Sequence, residues 1–109
     1  MAALLGVDAG TTEIKTVACD GKGRPLARAS EPAPGRSPAL GSSEQDMEET
    51  YERVATTIRL VCNGIDPDVG AVGVTWQGGG CWLVNEEGRP VRDAIRWNDG
   101  RASSIIDEW

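Results

Sequence analysis

Between Val69 and Thr75 the chain reads Val-Gly-Ala-Val-Gly-Val-Thr, small, branched and without a charge. Such a run predicts a strand covered on both faces. Upstream of it, about Glu44 to Cys62 reads as a helix. Met47, Tyr51, Val54, Ala55, Ile58, Val61 and Cys62 recur at helical spacing and form one apolar stripe, expected to be core. Ser43 stands as the cap with Asp46 three residues on, Asn63-Gly64 supplies a stop, and Asp66-Pro67 keeps the next residues out of helix. A strand reached through a helix implies a crossover connection, and with it an α/β fold.

The first thirty residues predict an antiparallel meander. Leu4–Val7 is a short apolar run ending at Asp8, Ile14–Cys19 resumes after a turn, and Pro25–Ala29 follows the Asp20–Gly23 cluster as an edge strand opened by proline. Ser30–Ser43, with Pro32, Pro34, Pro38, Gly35 and Gly41, is read as a loop, either a surface excursion or the cover of a site. Trp82–Val84 and Val91–Ile95 flank a turn-rich excursion over 85–90. A second helix begins after Asp99-Gly100 and stops inside its own pattern at Ile105, Ile106 and Trp109, as a fragment would.

Composition narrows the function classes. The 109 residues carry 17 acidic against 11 basic side chains, a net charge of −6, which argues against an electrostatic grip on nucleic acid. With no histidine, serine–histidine triads, histidine bases and the usual zinc sets are excluded. The apolar start at Ala2–Val7 is too short for a signal peptide or a membrane span. Cys19, Cys62 and Cys81 are widely spaced with no CxxC, and read as reduced structural thiols of a cytoplasmic protein.

The residues richest in chemistry are Gly6-Val7-Asp8-Ala9-Gly10-Thr11-Thr12. A turn of this kind is either an ordinary hairpin or a seat for a polyphosphate. In the second case Gly10 lets the backbone approach, turn amides form an anion-binding concavity, and Thr11 and Thr12 add hydroxyls. Lys15 adds positive charge, and Asp8 at a strand end can hold Mg²⁺, which favours one or two carboxylates plus phosphate oxygens. Neither GxxxxGK[ST] nor GxGxxG occurs.

Gly6–Thr12 with Lys15 and Asp20-Gly21 resembles the first phosphate motif of the actin-like ATPase superfamily, and within it the FGGY carbohydrate kinases. Three further segments resemble that family in order: Glu44-Gln45-Asp46 with Tyr51, Gly73-Val74-Thr75-Trp76-Gln77, and Ala94-Ile95-Arg96-Trp97-Asn98-Asp99-Gly100-Arg101. The resemblance is nearest to xylulose and erythritol-type kinases. It implies a ribonuclease H-like fold whose mixed sheet has flanking helices, with residues 1–109 as the N-terminal part of the first of two domains. It also implies ATP-dependent phosphorylation of a pentulose or polyol. Asp8 would organise Mg²⁺, while Gly10, Thr11, Thr12 and Lys15 would face the phosphates. Gln77, Gly78, Gly79, Trp97, Asn98, Asp99 and Arg101 would border the substrate.

The catalytic aspartate of the family is expected beyond residue 109. Gly78-Gly79-Gly80 departs from the family by bringing no side chain after the glutamine, Trp76 stands in place of a small residue, and Ser42-Ser43 replaces an expected tryptophan. Several residues keep two readings. Trp76, Trp82 and Trp97 line the sugar or pack the core. Arg96 and Arg101 meet phosphate or pair with Asp93, Asp99 or Asp107. Asp99 bonds a sugar hydroxyl or caps the last helix. Rival functions are another actin-like ATPase, or an inactive module that self-associates, for example as a homodimer, through its exposed C-terminal apolar residues.

Overall fold

The computed structural model describes all residues 1–109. Strand β1 (Ala3–Ala9) alternates strictly, with Ala3, Leu5, Val7 and Ala9 buried and Leu4 and Gly6 open. It turns tightly into β2 (Glu13–Cys19), pairing antiparallel from Leu4↔Cys19 to Ala9↔Ile14, so Ala18, Thr16 and Ile14 share its buried face. Strand β3 (Pro25–Pro32) continues the meander along β2. The β2–β3 turn is organised by Asp20, whose carboxylate accepts the amides of Lys22 (2.8 Å) and Arg24 (3.0 Å) and the Arg24 side chain (2.6 Å). The Arg24 amide holds that carboxyl below the usual range, with the Arg24 side chain and the Lys22 amide helping it outweigh the opposing effect of burial.

The proline- and glycine-rich segment that follows is not a free excursion, and its residues Ala33, Gly35, Arg36 and Ser37 line an open pocket with Thr11, Thr12 and Arg96. Its first residues finish β3, and β4 (Gly35–Arg36) pairs with β5 (Glu44–Gln45), which in turn pairs with β7 (Ala94–Ile95). This small three-stranded sheet displaces the expected helix start. Helix α1 is Met47–Asn63, and its cap is Asp46, in extended backbone, accepting the Glu49 amide at 2.8 Å. Ser43 cannot serve, because its amide and hydroxyl are bound to Asp99 and Asn98.

Helix α1 lies mainly over β2 and β3, where Val61 meets Leu5 and Ala18, with Ile58, Cys62, Ala27 and Ala29 around them. The expected stripe is therefore core only in its second half. Tyr51 is 74% exposed, and the buried positions ahead of Val61 go to Thr50 and Thr57. Thr57 is hydrogen-bonded to Thr16 of β2 at 2.8 Å, a polar clasp inside the helix–sheet contact.

Strand β6 (Val69–Trp76) joins β1 in parallel, Leu4↔Ala71 through Ala9↔Trp76, completing the order β3-β2-β1-β6. The crossover expectation holds. The expectation of two covered faces does not, since every residue of β6 is exposed, Val74 by 64%. The cause is lateral: α1 sits over β2 and β3, and β1 is the one element that makes extensive contact with β6. Beyond it the chain makes bridges at Val84↔Pro90 and Cys81↔Ile95 and ends in the single turn α2 (Ser103–Ile106). Cys19, Cys62 and Cys81 are all free thiols.

Candidate functional site

The site grows from the β1–β2 turn. Gly10 donates its amide to the Glu13 carbonyl at 3.0 Å, and a Cβ there would sit 2.9 Å from that oxygen, so the tight turn requires glycine. The next two amides, of Thr11 and Thr12, donate to no acceptor within the chain. Adjacent unspent amides in a turn are the donor set that an anion needs. The Thr12 carbonyl is held by the Ala33 amide at 2.9 Å, which ties the turn to the start of the proline-rich segment.

Asp8 sits at the end of β1 on the face turned away from α1, and lines an open groove of about 610 Å³ with Gly6, Lys15, Val17, Gly73 and Thr75. Its only ionic partner is Lys15, at a loose 3.8 Å, and both side chains are half-exposed. Lys15 is shared with Glu13 at 3.9 Å. Pairs so exposed hold their geometry weakly, and both groups are free to turn to a ligand. No cluster of three metal-ligating side chains occurs. A lone carboxylate beside an anion seat fits Mg²⁺, which keeps waters and takes most other ligands from phosphates.

On the other side of the turn stand Trp97 and Gln77. The Trp97 indole donates to the Thr11 hydroxyl at 2.9 Å, and that hydroxyl reaches Gln77 Oε1 at 3.4 Å. Gln77 Nε2 donates to Gln45 Oε1 at 3.0 Å, and Gln45 Nε2 to Thr50 Oγ1 at 2.9 Å. Arg96, which has no acidic partner, donates to the Thr11 carbonyl. Gly79 brings its backbone beside Trp97, where a Cβ would lie 3.5 Å from the Trp97 Cβ. Thus Asp8, Gly10, Thr11, Thr12 and Lys15 come together as expected, with Gln77, Gly79 and Trp97 next to them, while Gly78 has open space around it.

Asn98, Asp99 and Arg101 are directed elsewhere. Asn98 Oδ1 accepts the Ser43 hydroxyl at 2.7 Å. Asp99 accepts the Ser43 amide at 2.7 Å, the Arg101 amide at 3.0 Å and the Arg101 guanidinium at 2.7–3.0 Å. Arg101 also reaches Glu44 at 2.8 Å, and Arg92 meets the same oxygen at 2.6 Å. The Arg101 hydrogen bond, then the Ser43 amide, holds the Asp99 carboxyl far below the usual range, and Asp99 followed by Glu44 raises Arg101. This cluster clamps the segment behind Trp97 to the start of β5. Asp99 does not cap α2, whose N-terminal position is Ala102 without a side-chain cap.

Trp76 and Trp82 pack edge to face with centroids 5.1 Å apart. Sequence reasoning gave Ser43 the wrong role, that of a helix cap, and assigned none to Gln45, Thr50 or the Arg96–Thr11 contact. Gln45 and Arg96 lay inside recognised segments, but only the tertiary contacts reveal what they hold.

The sheet order, crossover helix and open turn after β1 define an α/β domain of the ribonuclease H-like, actin-like class. Residues 3–109 match the family model for the N-terminal domain of the FGGY family of carbohydrate kinases, and the chain belongs to that family. It is 35% identical over 106 residues to an erythritol kinase of Brucella abortus (strain 2308), covering 94% of this chain and 20% of that protein. It is 30% identical over 109 residues to a xylulose kinase of Staphylococcus xylosus, covering 99% of this chain and 23% of that one. The crystal structure of gluconate kinase from Lactobacillus acidophilus superposes with a TM-score of 0.93 at 25% identity, over 98% of this chain and 22% of that one. The chain therefore spans about a fifth of the length of the curated relatives it matches.

Proposed function

We propose that this chain is the N-terminal part of the first domain of an ATP-dependent kinase that phosphorylates a hydroxyl of a pentulose or polyol. One observation carries the reading: the unspent amides of Thr11 and Thr12 follow directly on Gly10, where a Cβ would stand 3.7 Å from the half-exposed Asp8 carboxylate that lines an open groove. Phosphoryl transfer asks a protein chiefly for positioning and charge stabilisation. The Thr11 and Thr12 amides, the Thr12 hydroxyl and Lys15 would hold the transferring phosphate. Asp8 would hold Mg²⁺ through its waters, and the bound ion would neutralise charge on the phosphate oxygens.

Trp97, with the backbone of Gly78 and Gly79 and with Gln77 just after β6, would form one wall of the acceptor subsite. Asn98, Asp99 and Arg101 would act behind that wall, fixing Trp97 by their bonds to Ser43 and Glu44. The aspartate that takes the acceptor proton would come from residues beyond 109. The assembled protein would work in the cytoplasm, and no helix of the chain is long and apolar enough to cross a membrane.

The test is ATP consumption by the full-length protein against a panel of pentuloses, polyols and aldonic acids. A rise with one acceptor is the expected result, and no rise with any of them overturns the kinase reading. Asp8→Ala is expected to lower that turnover by about a hundredfold or more while leaving the circular dichroism spectrum intact. Unchanged turnover in the variant would remove Asp8 from the mechanism.

A further inference from the structure

The side chains around Thr11 form one hydrogen-bonded file: Trp97 to Thr11, Thr11 to Gln77, Gln77 to Gln45, Gln45 to Thr50, and Thr50 to the Asp46 carbonyl at 2.5 Å. Its direction is fixed from the Asp46 end. A backbone carbonyl only accepts, so Thr50 spends its proton on Asp46 and must accept from Gln45. Gln45 Oε1 then accepts from Gln77 Nε2, which turns Gln77 Oε1 toward Thr11 and makes Thr11 the donor there, while its oxygen accepts from the Trp97 indole. Flipping either amide would set two donors or two acceptors face to face.

The file joins elements that are remote in sequence: the phosphate turn, the end of β6, the wall at Trp97 and the cap of α1. Its middle member, Gln45, is completely buried and has both ends of its amide engaged. Its place on β5 is already held by pairing with Gly35 and Ala94, so the side chain is free to serve something other than anchoring the strand. We propose that Gln45, which reaches neither the groove nor Trp97, is a positioning residue that sets the orientation of Gln77 and through it of the Thr11 hydroxyl and the Trp97 indole. This rests on the kinase reading for its functional consequence, though the coupling itself does not.

Two substitutions in the full-length protein separate positioning from mere stability. Gln45→Met fills the volume but leaves Gln77 Nε2 without an acceptor. Gln45→Glu keeps an acceptor toward Gln77 but buries a carboxylate, which costs stability. The expected order is crossed: the Glu variant melts lower than the Met variant yet turns over faster, with kcat of the Met variant down about tenfold. Activity that simply follows melting temperature in the two variants overturns the proposal.

A second measurement needs neither ATP nor sugar and stands even where the Glu variant does not fold. The Trp97 indole N–H resonance, assigned by its loss in Trp97→Phe, is expected to move upfield in Gln45→Met as its bond to Thr11 slackens. An unmoved resonance overturns the proposal. A shifted resonance in a protein that phosphorylates nothing leaves the coupling standing and discards the kinase reading alone.

Discussion

Thr11 and Thr12 are neighbours with opposite duties. The Thr11 hydroxyl accepts from Trp97 and faces Gln77, so its proton is committed inside the chain, whereas the Thr12 hydroxyl has no protein partner. Only Thr12 has a hydroxyl proton left for a phosphate. Thr12→Val in the full-length protein is therefore expected to raise KM for ATP several-fold without moving the melting temperature, checked by steady-state kinetics and calorimetry. At Asp99 the prediction concerns pH. Its carboxyl and that of Asp20 are held below the ordinary value of about 4, so the stability they lend is complete above that pH and drains below it, as pH falls through their lowered values. Asp99→Asn should flatten the acid limb of a melting-temperature profile, and an unchanged limb would contradict the assignment. The turn itself was legible in sequence because an Asp, a Gly and two Thr within five positions are a local signal. The partners of Thr11 were not, because they lie 66 and 86 residues away and no spacing rule links them.

Helix α1 shows how far periodicity carries and where it stops. Its existence, its end at Asn63-Gly64 and its crossover role follow from the pattern, but its start moved because Ser43, Glu44 and Gln45 have tertiary obligations that outweigh local capping preference. A stripe rule also overlooks threonine, and Thr50 and Thr57 take the buried positions. Because Thr57 also bonds the Val54 carbonyl at 2.9 Å, its proton is spent there and Thr16 must be the donor in the clasp. Thr57→Val then strands a buried donor and is expected to cost about 1–3 kcal/mol, more than Thr16→Val, which leaves Thr57 its bond to Val54. The double variant should recover part of the loss. Urea denaturation of the three variants measures this, and Thr16→Val being the costlier single change would refute the donor assignment.

The whole chain is elongated, 56 × 28 × 21 Å, with a radius of gyration of 16.8 Å. A compact domain of this length has about 13 Å. Only 17 of the 109 residues are buried, while Val72, Val74, Ile105, Ile106 and Trp109 are open. Sequence reasoning recognised β6 as a strand meant for coverage on both faces, and that composition is unmatched by anything the 109 residues lay against it. Expressed alone, the chain is expected to self-associate through these surfaces, and a strictly monomeric, well-folded species in light scattering would contradict this. Residues 78–80, finally, present no side chain at all, and only one of those three positions has room to gain one. Gly79 is held at φ +73°, and a Cβ at Gly80 would strike Trp82 Nε1 at 2.7 Å and the Ile95 carbonyl at 2.9 Å, whereas Gly78 meets nothing within 4 Å. Of these three glycines, then, 78 is the one place where the chain could take on a side chain without disturbing a neighbour.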